Sequence, residues 1–171
     1  MRKKSMLIIL VVIMVLMPTA SCKKGGSDFD PTDSILSTPY GEVDRYEMDF
    51  YYSLVEGTPF NCTDEQRSTI AITLISFNLT QVRNFTWEVV DSDSEGFAGG
   101  KPITEGWVII MDGEGEDGYA KYYVYIGSDG NIADIFRENK DGGKWIFVDG
   151  DDLDAFIINN LDEMGRPDET D

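Results

Sequence analysis

Three acidic clusters are the first residues of this sequence whose types and spacing could do chemistry. Asp91-x-Asp93-x-Glu95-Gly96 repeats the alternating carboxylates that open a calcium-binding EF-hand loop. Asp149 and Asp151, followed by Asp152 and Asp154, form a second cluster, and Asp112, Glu114 and Glu116 a third. Carboxylate oxygens at this density suit a hard divalent cation. In an EF-hand loop, however, a bidentate Glu closes the site, and that position is Pro102 here. A strand pattern rather than a helix precedes Asp91. Each cluster therefore lacks a full ligand set, and solvated turns and helix caps account for the same residues.

Other reactive groups are sparse. His is absent from the 171 residues, which removes His-based triads, imidazole metal ligands and the ordinary near-neutral proton shuttle. Cys62 has no base to activate it and reads as a small residue just before a helix N-terminus. Paired carboxylates would do acid and base work only if one sat in an apolar pocket, and these cluster in polar turns. The Gly-rich stretches follow turns and do not open helices, so no phosphate-binding loop or dinucleotide fingerprint is present. No enzyme class and no cofactor is expected.

Two further sets concern recognition. Tyr123 and Tyr125 alternate with Val124 and so share one face of a strand; exposed beside acidic loops, they would suit a basic protein or peptide, the aromatics anchoring and the carboxylates steering. Asn61-Cys62-Thr63, Asn78-Leu79-Thr80 and Asn84-Phe85-Thr86 are N-glycosylation sequons. The formal charge of −18 excludes nucleic acid as a partner, because phosphate binding needs cationic patches.

The elements that must position these residues are those of an α+β domain. Val43, Tyr46, Phe50 and Leu54 recur at helical steps until Gly57 and Pro59. Thr63 and Gln66 have capping-box spacing, and Ile70, Leu74 and Phe77 continue a second helix. Then follow strand patterns at Phe85 to Val89, Trp107 to Met111, Tyr122 to Ile126, Ile132 to Arg137 and Lys144 to Val148, separated by Gly- and Asp-rich turns. Leu153, Phe156, Ile157 and Leu161 mark a last helix. The expectation is two N-terminal helices, an antiparallel sheet of four or five strands, and a C-terminal helix within a single domain at 40–165, ending in an acidic tail at 166–171.

The N-terminus decides the address. Arg2, Lys3 and Lys4 precede an unbroken apolar run from Met6 to Met17, which is shorter than the about 20 residues a membrane-spanning helix needs. Pro18 stops the helix and leaves Thr19-Ala20-Ser21-Cys22 extended, as a peptidase requires. Thr19 to Cys22 resembles the lipobox of prokaryotic lipoproteins, with Thr19 standing where Leu is usual. The resemblance implies a signal peptide at 1–21, cleavage before Cys22 and fatty acylation of its sulfur. Cys22 is then an anchor, and residues 22–39, rich in Lys, Gly, Ser, Asp and Pro, a flexible tether outside the cytoplasm.

Thr63 to Glu65 together with Tyr122 to Ile132 resemble PepSY-type domains, with Ile126-Gly127 where that family carries Val-Asp. This resemblance implies a small extracytoplasmic domain linked to protease regulation and carries over no catalytic residue. The expected function is a membrane-anchored lipoprotein with a non-catalytic binding or accessory role. A calcium-binding surface lipoprotein using Asp91, Asp93, Glu95, Asp149 and Asp151 is the alternative.

Overall fold

The computed structural model describes residues 34–90, 105–116, 118–138 and 141–164. The described chain opens on a small hairpin, β1 (Ile35–Thr38) and β2 (Gly41–Asp44), followed by α1 (Arg45–Glu56) and α2 (Asp64–Ile75). Five strands come next: β3 (Leu79–Val90), β4 (Gly106–Gly115), β5 (Gly118–Gly127), β6 (Ile132–Glu138) and β7 (Lys144–Asp149). A 3-10 turn at Gly150–Asp152 leads into α3 (Leu153–Met164). The architecture is α+β, with three helices and a five-stranded antiparallel meander in the order β3-β4-β5-β6-β7.

The hairpin corrects the expected opening in two ways. Among the described residues a hairpin precedes the two helices, and residues 35–38, expected in the tether, pair with β2. Pro39 and Tyr40 form the turn, where Thr38 Oγ1 donates to Gly41 O at 2.8 Å and accepts from Tyr40 N at 3.2 Å. Four-residue strands carry too little alternation to be read from sequence, and Leu36 and Val43 owe their places to packing against the main core.

Asp44 ends β2 and caps α1, its Oδ1 accepting from Tyr46 N at 2.8 Å and Glu47 N at 3.1 Å. That cap sets the helix's rotation. Met48, Tyr51 and Val55 are buried, at steps of three and four, whereas Tyr46 and Phe50 of the expected stripe are exposed. The capping box of α2 forms as its spacing predicts: Gln66 N donates to Thr63 Oγ1 at 3.2 Å and Thr63 N to Gln66 Oε1 at 2.9 Å. Every residue from Ile70 to Ile75 is buried, because α2 is enclosed on more than one side.

Cross-strand register gives the sheet two distinct faces. On the inner face, Ile109, Met111, Tyr122, Val124, Ile126, Ile135 and Val148 join the helices in one core, with Ile157 and Leu161 of α3. Phe77 stacks on Tyr122 at 4.1 Å between ring centroids. On the outer face, Val90, Val108, Tyr123, Tyr125 and Phe136 form a second cluster, with Ile110 and Ile146 against it. Among the described residues, no helix is long and apolar enough to cross a membrane.

Candidate functional site

A cleft of about 440 Å³ opens where three segments meet. The first turns of α2 supply Thr63, Glu65, Gln66, Thr69 and Ile70. The β5–β6 turn supplies Gly130, Asn131 and Ile132, and the start of α3 supplies Leu153 and Asp154. Tyr40, from the β1–β2 turn, completes the wall. Concave sites with a few convergent polar groups are the ordinary setting for ligand binding.

Gln66 holds this arrangement together. While its Oε1 caps α2, its Nε2 donates to Asp129 O and to Asn131 Oδ1, both at 2.9 Å. Gly130 has φ +83°, and a Cβ there would lie 2.7 Å from Gln66 Oε1, so the turn approaches the helix as closely as a glycine allows. Cys62 Sγ donates to Gly130 O at 3.6 Å. Burial raises the Cys62 thiol above its ordinary value. Asp129 accepts from Asn131 Nδ2 at 2.9 Å and from Asn131 N at 3.1 Å, and these bonds lower its carboxyl.

The cleft's charge is one-sided. Glu65 and Asp154 are exposed at its rim, and no Lys or Arg is among the described residues that line it. Tyr40 adds an aromatic ring. Two carboxylates beside an aromatic wall suit a cationic group, by charge and by ring quadrupole.

The residues singled out by sequence fall elsewhere. Tyr123 and Tyr125 share one face as expected but are buried, with relative exposures of 5% and 2%, and are not a contact surface. Their surroundings at one end are cationic. Lys144 Nζ sits 3.8 Å from the centroid of the Tyr123 ring and Lys121 Nζ 5.2 Å from it. The Tyr123 hydroxyl donates to Glu138 Oε2, which Lys121 Nζ approaches at 3.3 Å. Burial raises the Tyr123 hydroxyl, and the bond it donates lowers Glu138. Burial likewise lowers Lys144, with Lys121 adding repulsion. The reason is register: β4 and β6 flank Tyr123 and Tyr125 with Ile110, Val108 and Phe136, which enclose the rings.

Asp91, Asp93 and Glu95 lie outside the described residues. Asp149 caps the turn before α3, its Oδ1 accepting from Asp151 N at 3.1 Å. Among the described residues no three His, Cys, Asp or Glu side chains gather as a metal site. Asn61, Asn78 and Asn84 are all exposed. Asn84 Nδ2, the atom a glycan would occupy, donates to both Asp112 oxygens, at 2.9 and 3.0 Å. Comparison with protein-family models, with curated proteins and with solved structures finds no match to this chain.

Sequence reasoning missed Asp134, one of two buried carboxylates among the described residues. Burial raises its carboxyl above the ordinary value; the Gly150 N–H, donating at 3.4 Å, opposes this, while Asp149 and Asp151 add repulsion. Because the folded state holds this proton more tightly than the unfolded chain, the group favours folding below the ordinary carboxylate pKa. That contribution is lost as pH rises through the raised native value. Asp134→Asn keeps an oxygen for Gly150 N and removes the charge. Its melting midpoint should exceed the parent's at neutral pH, with the gap closing at acid pH. Parallel thermal melts across pH check this, and a gap independent of pH would contradict it.

Proposed function

We propose that this chain is a lipid-anchored extracytoplasmic protein with a non-catalytic binding or accessory role, which receives a basic segment of a protein or peptide in the cleft between α2, α3 and the β5–β6 turn. Acylation at Cys22 would hold the domain at the membrane, and the residues that follow would let it reach a partner. The observation that carries the binding part is the one-sided rim: Glu65 and Asp154 stand beside Tyr40 over walls fixed by Gln66. A Lys or Arg side chain entering there meets carboxylates at the mouth and an aromatic ring within. On this reading the basic partner meets the cleft and not Tyr123 and Tyr125, which are buried.

The absence of His supports the non-catalytic part, together with a Cys62 thiol kept protonated by burial. The resemblance of Thr19 to Cys22 to a lipobox supports the location.

Fluorescence anisotropy with a labelled oligolysine peptide tests the cleft. Glu65→Gln combined with Asp154→Asn should weaken binding about tenfold, in line with the loss of two steering and contact charges. A matched acidic peptide should bind no better to the parent than to the variant. Equal oligolysine affinity for parent and variant would remove the cleft from the proposal.

A further inference from the structure

The long edge strand β3 carries a feature that the cleft does not use. It spans 12 residues, the longest strand in the sheet, and among the described residues it pairs with β4 alone. Its opposite edge therefore presents a row of backbone donors and acceptors, the template from which strand addition proceeds. Natural edges are blunted by lysines, prolines and bulges. β3 has its two irregularities early, between Leu79 and Gln81 and between Val82 and Asn84. From Asn84 to Val90 the register with β4 is continuous, and Glu88 is the one charge in that stretch.

Two large apolar side chains on this stretch are exposed. Trp87 is 41% and Val89 65% accessible, both on the inner face of the sheet, where Trp87 meets Phe60 edge-on at 6.2 Å. The strand's charges, Arg83 and Glu88, cancel. In a chain with a formal charge of −18, this neutral aromatic edge is where a second copy can approach with the least repulsion. The other edge strand, β7, is half as long, six residues from Lys144 to Asp149.

We infer that β3 pairs antiparallel with β3 of a second copy, joining two five-stranded sheets into one through a two-fold axis at Trp87. The geometry follows from strand periodicity. A two-fold axis normal to the sheet keeps each face continuous, and directly opposed residues of an antiparallel pair share a face. Opposed positions must therefore differ by an even number, which sets one residue opposite its own copy. With Trp87 on the axis, Val89 lies opposite Phe85 and Thr86 opposite Glu88. The exposed apolar side chains are then covered, and a hydroxyl meets a carboxylate.

Sedimentation velocity of the full chain in detergent tests this. The expected result is a mass of two copies, with Val89→Lys and Trp87→Lys each weakening association at least about tenfold while the variant still unfolds in one cooperative transition. Both positions are exposed, so the fold tolerates them; should one variant melt early, the other decides. Single-cysteine crosslinking on intact cells gives a second readout. In a Cys62→Ser background, Trp87→Cys should give an oxidant-dependent dimer above the baseline of the background chain, and Ser53→Cys on α1 should not. A monomeric parent overturns the inference. So does a dimer that both lysine variants leave intact, or a dimer lacking the Trp87→Cys crosslink.

Discussion

Cys22→Ala is expected to abolish the incorporation of labelled palmitate into this protein completely. The sulfur of Cys22 is the single atom to which the fatty chains would attach, and no neighbouring residue can substitute for it. The same change should block cleavage, so the unlabelled chain should run larger by the mass of its leader. The effect is all or none. A cysteine elsewhere does not rescue it, because Cys62 lies 40 positions further on and is partly buried, its thiol bonded to Gly130 O. Metabolic labelling followed by mass spectrometry reads both outcomes. Label retained in the variant, or no label on the parent, would defeat the lipid anchor while leaving the cleft and the β3 edge to be judged by their own experiments.

Gly106→Ala should cost roughly 3 kcal/mol of folding stability, among the largest losses a single methyl can produce. Gly106 opens β4 with φ +149°, where side chains are strained, and lies opposite both Val90 and Gly127. A Cβ there would fall 2.1 Å from the Ile126 carbonyl oxygen. Backbone cannot swing aside as a side chain does, so the β4–β5 ladder must part at this point. For a domain of this size the loss corresponds to a melting midpoint lower by about 10 °C. Gly118→Ala is the internal control. Its φ of +98° carries similar strain, but nothing stands within 4 Å of the added carbon, and about 1 kcal/mol is expected. Thermal and urea unfolding of the two variants side by side measures the difference. Equal losses would mean that backbone conformation, and not the approach of Ile126, accounts for the effect.

How much of this molecule can be read from its residues varies with the range of the interaction involved. The capping box of Thr63 and Gln66, the Gly127 to Asn131 turn and the alternation of β5 are set by contacts within a few residues, and all are present in the structure. The same locality explains the apolar face of α3, where Leu153, Ile157 and Leu161 are buried. The first hairpin was illegible because Ile35 to Thr38 gains nothing locally; Leu36 is held by the distant core. On α1 the period alone does not choose the buried face, because Tyr46 and Phe50 fit it as well as Met48, Tyr51 and Val55 do. Asp44 and the packing against α2 choose between them.

The candidate site shows the same division more sharply. Gln66 announced its cap, since Thr63 is three residues away, but its second role spans more than 60 residues, to Asp129 and Asn131, and has no local signature. Alternation puts Tyr123 and Tyr125 on one face, as the structure has them, yet alternation alone does not say whether that face meets solvent.

The sequence by itself determined the lipobox resemblance, the acid excess, the absence of His chemistry and the α+β succession of elements, because each depends on composition or on neighbours along the chain. Only the tertiary structure decided which face of α1 is buried, that Tyr123 and Tyr125 are enclosed, that Glu65 and Asp154 share a cleft, and that β3 is left at an edge. Those outcomes depend on strand order and register, which bring together residues far apart in the chain. A local pattern fixes the period of an element but not its neighbours.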